Sequence, residues 1–262
     1  MEENVKRVDN RLDDYIKDSN ENNIHDIRTA TRRLDASFIS LPKNMRRKTK
    51  IRKYVTTSKR LFKVNSQVRD CDIICEKLQK YSSEPIYTKL IGSLNRKRKT
   101  KLASARKIAL SLRNLPIPRV KENAIPAKRL EIRYNKIVVR LRQRIQLDVP
   151  IILTNVNKIE VLHELRKTCK KLLELASLQN GINNKEINAV ITELEDVQDI
   201  LGSIHDSDTT IAYLKSQPIK VPHILHDEIS ERNKKYEDFT QFCKRSLSDT
   251  RHNFLNQITL LT

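Results

Sequence analysis

The hydrophobic positions along this chain recur at helical spacing almost from end to end. Val5, Val8, Leu12 and Ile16 mark a first helix over about residues 5–17, closed by the polar run Asp18-Ser19-Asn20-Glu21-Asn22-Asn23. Ile24, Ile27, Leu34 and Phe38 stripe a second helix that ends near Pro42. From Lys43 to Arg69 there is no acidic residue, yet Ile51, Tyr54, Val55, Ser58, Leu61 and Phe62 keep a stripe, which predicts a basic helix with one dry side. The segment Arg69-Asp70-Cys71-Asp72 follows, then a helix through Leu78, a break at Pro85 and a long acid-free helix over 86–112. Pro116, Pro118 and Pro126 predict a linker. Beyond it, Leu130, Tyr134, Ile137, Leu141 and Ile145 trace one stripe of a helix ended by Pro150, while Arg129, Arg133, Lys136, Arg140 and Arg144 trace another. A further helix runs to about Leu178 with Gly181 as its stop, another covers Glu186 to Leu201, and a closing helix follows Pro218 and Pro222.

Laid over one another, these elements repeat. Ile24-His25-Asp26-Ile27-Arg28-Thr29-Ala30-Thr31-Arg32-Arg33-Leu34 returns as Leu162-His163-Glu164-Leu165-Arg166-Lys167-Thr168-Cys169-Lys170-Lys171-Leu172. In each copy a histidine and three cations crowd onto one arc of the helix and the hydrophobes onto another. Val68-Arg69-Asp70-Cys71-Asp72 likewise returns as Ile204-His205-Asp206-Ser207-Asp208. The offsets, 138 residues for the histidines and 136 for the aspartates, describe a duplication. Its period is too long for a solenoid and suits two helical half-domains, residues 1–118 and 119–262, packed about a pseudo-twofold axis that brings their basic faces to one surface.

Composition narrows the partner. With 32% charged residues, 5% aromatics, three glycines and no tryptophan, the chain is all-α in character, and glycine-dependent phosphate loops are excluded. A formal charge of +20 favours a polyanion. Residues 1–118 hold 29 Lys and Arg against 13 Asp and Glu, and the remainder 23 against 19, so the positive field is expected to be lopsided. Cys71, Cys75, Cys169 and Cys243 lie in helical segments without CxxC spacing and read as core thiols of a reducing compartment. No apolar run reaches the ~20 residues of a membrane span, and Met1-Glu2-Glu3-Asn4 opens no secretory segment, so a cytoplasmic protein is expected.

The paired H-x-x-R-x-x-x-[RK]-[RK]-L helices, the V-R-D-x-D and I-H-D-x-D segments and the basic helical background resemble the conserved-histidine α-helical domain family, CHAD, over nearly the whole chain. The resemblance implies two four-helix bundles about a pseudo-twofold, with a basic groove or pore that binds inorganic polyphosphate. It further implies association with polyphosphate granules or with a triphosphate-tunnel enzyme, here expected to be a separate chain. Where the family often has a further arginine this chain has Asp35 and Leu173, and Glu174 stands where tyrosine is common, which thins the basic face.

Polyphosphate is a flexible run of anionic oxygens with no base to stack on, so it calls for repeated cations on rigid helices. The candidate set is His25, Arg28, Arg32, Arg33, His163, Arg166, Lys170 and Lys171, joined by Lys59, Arg60, Arg69, Arg133 and Arg140. His25 and His163 either touch the ligand or orient neighbouring helices by a hydrogen bond. No cofactor, metal or catalytic residue is expected. The Asp-x-Asp segments read as helix starts that cap backbone N–H groups, or as anchors for a basic side chain. His223 and His226 read as surface or packing residues. Two alternatives remain open: a nucleic-acid backbone binder, and a metal-dependent phosphohydrolase built on His25, His163, His205 and Asp206.

Overall fold

The computed structural model describes residues 1–120, 125–179 and 185–248. Among them are nine α-helices, one 3-10 turn at Ser177–Gln179 and no strand. The helices are α1 (Glu2–Lys17), α2 (Glu21–Ser40), α3 (Lys43–Arg46), α4 (Thr49–Gln79), α5 (Pro85–Arg113), α6 (Ala127–Thr154), α7 (Ile159–Ala176), α8 (Lys185–Ser216) and α9 (Pro222–Ser248). Gly181, read as a helix stop, lies outside the described residues. No described helix is long and apolar enough to cross a membrane.

Contacts divide the chain into two compact units, Met1–Arg133 and a second beginning at Tyr134. The first unit reaches beyond the proline-rich stretch because Val120, Ile125 and Leu130 pack against its core. Within it α1 packs on α2, α2 on α4, α4 on α5, and α5 back on α1. That ring encloses Val8, Leu12, Tyr15, Ile27, Leu34, Tyr54, Leu61 and Leu112, and each such aliphatic side chain contributes about 1.5–3 kcal/mol on burial. The polar groups inside are matched: Tyr15 Oη donates to Asn65 Oδ1 at 2.9 Å. Asn20 caps α2 by accepting from the Asn23 amide, as its place at the helix start predicts.

In the second unit α7 packs on α8 and α8 on α9. Leu162, Leu165, Cys169, Leu172, Leu194, Leu201, Ile204 and Phe239 are buried there. Tyr134 Oη on α6 donates to the Leu175 carbonyl at 3.4 Å, and Tyr236 Oη on α9 to the Ile152 carbonyl. All four cysteines are free and buried, and desolvation pushes their thiols up, Cys243 to about 12.

Two expectations are overturned. Pro150 does not end its helix; α6 runs through it to Thr154. Burial of Val149 and Ile152 on either side holds the helix together where the proline nitrogen has no hydrogen to donate, and Thr154 Oγ1 bonds back to the Pro150 carbonyl at 3.1 Å. Nor do the Asp-x-Asp segments start helices. Both lie inside long ones, α4 and α8, whose buried stripe continues without a break through Val68, Cys71 and Ile74 and through Leu201, Ile204 and Ser207. Asp72 and Asp208 each pair with an arginine of the following helix, the other role considered for these segments.

Candidate anion-binding site

In the first unit the candidate cations follow the seam where α2 meets α4. Their placement is a consequence of the stripe: Ile24, Ile27 and Leu34 are buried, which turns His25, Arg28 and Arg32 toward the rim. The guanidinium of Arg28 lies 5.0 Å over the Phe62 ring, and Lys59 Nζ 5.7 Å from the centre of Phe38. Arg32 donates to Thr29 Oγ1 at 3.2 Å. Two carboxylates share the seam. Asp35 pairs with Lys59 at 2.6 Å, and Glu21 with Arg69. His25 is the outermost, with a side chain 74% exposed and Nδ1 3.5 Å from Asp26.

The arc of cations on α2 does not act as one face. Arg28 leans to α4, whereas Arg33, 80° or so further round the helix in the opposite sense from His25, lines a cleft of about 330 Å³ between α1 and α2 with Arg7, Arg11, Asp26 and Thr29. Because α2 is wedged between two neighbours, the two edges of its polar arc meet different helices. Arg133 donates to the Ile39 carbonyl at 3.3 Å, satisfying an end group of α2. Arg60 is exposed on α4.

The second unit treats its histidine differently. His163 is part-buried, with Nε2 3.0 Å from Asp208 Oδ2, and the other oxygen of Asp208 takes a bond from Arg232 Nε at 3.1 Å. Arg232 also reaches the Val156 carbonyl at 3.3 Å, so one arginine of α9 ties together α8 and the turn before α7. Arg232 and Asp208 are 7% and 8% exposed, a pair out of water on both sides. His205 on α8 sits edge-on to His163, ring centres 4.8 Å apart, with Nδ1 3.4 Å from His163 Nε2. Burial and then the charge of Arg166, with His163 and Lys170 behind it, pull the His205 imidazole down to about 4; Asp208 opposes them. Arg166 and Lys170 are half-buried at this seam, and Arg166 is steadied by Gln198, which donates to its carbonyl at 3.1 Å. Lys171 and Arg140 are exposed.

The family model of the CHAD domain matches residues 1–215. The chain belongs to the CHAD family. No curated protein and no solved structure matches it. The CHAD match takes in both histidine helices and α8 to within its last turn, so Arg232 and Tyr236 of α9 lie beyond it.

What the CHAD motif leaves out is the set of inter-helix partners. Arg98 of α5 pairs with Asp72 of α4, as Arg232 of α9 does with Asp208 of α8. Those partners stand on separate helices, where no local spacing announces them. Phe38 and Phe62 beneath the cations were visible only as core positions. His205 carried a signal, its place in Ile-His-Asp, but not its contact with His163. His223 and His226 are exposed on α9, as read from the sequence. Among the described residues no group of three or more His, Cys, Asp or Glu is arranged around a metal position.

Proposed function

We propose that this chain binds inorganic polyphosphate without chemical turnover, through the cations of its two histidine helices. The observation that carries the reading is the burial of Ile24, Ile27 and Leu34 and of Leu162, Leu165, Cys169 and Leu172. With those faces packed, Arg28, Arg32, Arg166 and Lys170 stand on rigid helices at the rim. Rigid cations lose little entropy on meeting an anion, and arginine adds forked hydrogen bonds. Family membership supports the same ligand class. In this reading the two units derive from one duplicated bundle, the protein works in the cytoplasm or on polyphosphate granules, and any triphosphate-tunnel or other polyphosphate-metabolising partner is a separate chain. Of the residues on which the phosphohydrolase alternative rests, His163 already shares its Nε2 with Asp208 Oδ2 and abuts His205, which speaks against that alternative.

The test is calorimetric titration of nucleic-acid-free protein with medium-chain polyphosphate, with tRNA in parallel at equal phosphate concentration. Tight polyphosphate binding and weak tRNA binding are expected. Arg28→Gln with Arg32→Gln, and Arg166→Gln with Lys170→Gln, should each weaken polyphosphate binding about tenfold or more, on a scale of roughly 1.5 kcal/mol per charge-assisted bond. Unchanged affinity in both double variants would place the site elsewhere, and tRNA displacing polyphosphate would favour a nucleic-acid ligand.

A further inference from the structure

Away from the seam of α2 and α4, the first unit gathers a second set of cations. The cleft of about 330 Å³ between α1 and α2 is walled by Arg7 and Arg11 of α1 and by Asp26, Thr29 and Arg33 of α2. Its two walls are tied together at both ends. Asn4 Nδ2 donates to Ser37 Oγ at 2.5 Å in the core, and near the turn Asn23 Nδ2 donates to the Asp18 carbonyl at 2.7 Å and to that of Asp14 at 3.3 Å. A cleft fixed in this way loses little order when an anion fills it.

Three guanidiniums face one carboxylate there, so positive charge is left over. Among the described residues the half-buried Arg33 has no ion pair. Arg7 meets Glu3 at 3.0 Å, but that glutamate is 83% exposed, and a pair in water restrains an arginine only weakly. Arg11 Nη1 is divided between Asp26 at 3.3 Å and Asp14 at 3.7 Å, too long for a forked bond to either. Thr29 Oγ1 accepts from Arg32, which leaves its O–H to donate. Arg7 and Arg11 also line a neighbouring groove of about 350 Å³ that reaches Lys6 and Asn10 along α1, with Glu3 at its edge.

An internal group of a polyphosphate carries one negative charge and two non-bridging oxygens. A terminal group, like the phosphate of a modified side chain, carries up to two charges and three such oxygens. A rail of cations along a seam suits the first, whereas three planar forks around one cleft suit the second. We propose that the cleft between α1 and α2 is a subsite for a terminal phosphate group, either the end of a polyphosphate or part of a free short oligophosphate. Arg7, Arg11 and Arg33 bind its oxygens, Thr29 donates a hydrogen bond, and the next phosphates lead out toward Lys6. The inference rests on the polyphosphate reading for its ligand class and deepens it, adding a site on α1 that the duplicated helices do not supply.

The experiment titrates the full chain, a cleft variant (Arg7→Gln with Arg11→Gln) and the seam variant (Arg28→Gln with Arg32→Gln) with three probes. These are tripolyphosphate, medium-chain polyphosphate, and the same polyphosphate with its ends blocked as phosphoramidates. Nε–H NMR of the arginine-labelled wild-type chain follows the cleft directly, so the outcome does not depend on a variant folding. Tripolyphosphate is expected to bind about tenfold or more weakly to the cleft variant, and to lose less in the seam variant. Blocking the ends should weaken polyphosphate binding to the wild type about tenfold but to the cleft variant by no more than about twofold, the signature of a shared contact. The Nε–H resonances of Arg7, Arg11 and Arg33 should shift with tripolyphosphate before those of Arg28 and Arg32. The same tripolyphosphate results with no effect of end-blocking would support the subsite with a free oligophosphate as its occupant. Equal tripolyphosphate affinity in the wild type and the cleft variant, or cleft arginine resonances unmoved by it, overturns the subsite while leaving polyphosphate binding at the seam standing. Failure of the wild type to bind either anion overturns both.

Discussion

At the scale of single residues, the interactions that matter most are those withdrawn from water. The Asp208–Arg232 pair is buried on both sides, so removing one partner leaves the other charge stranded. Arg232→Met is expected to destabilise the protein by about 3–5 kcal/mol in urea denaturation. Removal of the exposed Lys167–Glu164 pair should shift stability by less than about 1 kcal/mol. Equal effects in the two would show that burial is not what gives the Asp208 pair its weight. His205 adds a pH dependence. Its folded imidazole titrates near 4, below the ordinary value of 6.5, so between those values the unfolded chain binds more protons than the folded one. Stability should therefore be full above pH 6.5 and decline as pH falls toward 4, and the melting temperature of His205→Gln should fall less over that window. Neither behaviour is legible in the sequence, which shows an Ile-His-Asp-x-Asp segment but not the arginine that completes it.

At the scale of elements, the stripes of apolar residues were a sound guide to which face of each helix packs, because burial is what stabilises a helix too polar to form alone. Ile24, Ile27 and Leu34 on α2 and Leu162, Leu165 and Leu172 on α7 are all buried. Boundaries were less legible. Pro150 was a reasonable stop by local rules, and so was the aspartate pair as a start, but tertiary burial on both sides overrode each. If the helix is held through Pro150 by packing alone, Pro150→Ala should restore a missing backbone bond. A gain of roughly 1–3 kcal/mol in thermal or urea unfolding is then expected. A loss would mean that α6 needs the shape proline imposes. The arc of cations on α2 teaches the same lesson: spacing placed Arg28 and Arg33 on one broad face, and two neighbouring helices divided it.

At the scale of the molecule, a charge of +20 makes affinity for any polyanion sensitive to salt. Polyphosphate affinity should fall about tenfold or more between about 0.1 and 0.5 M salt, with the logarithm of the constant linear in the logarithm of salt concentration. A flat dependence would mean that hydrogen bonds rather than charge carry the binding. The excess of cations before residue 118 overstates what a ligand meets there, because the structure commits several of them. Lys59 goes to Asp35, Arg69 to Glu21, Arg98 to Asp72, and Arg113 to Asp9 and Asp13. The sequence by itself determined the all-helical class, the buried faces and the family, since helical periodicity and short motifs are local properties written within a few turns of chain. Which cations are committed to carboxylates, and which histidine packs against a second one, only the tertiary structure decided. Those outcomes turn on partners 24 to 104 residues apart, brought together by packing that no spacing along one helix encodes.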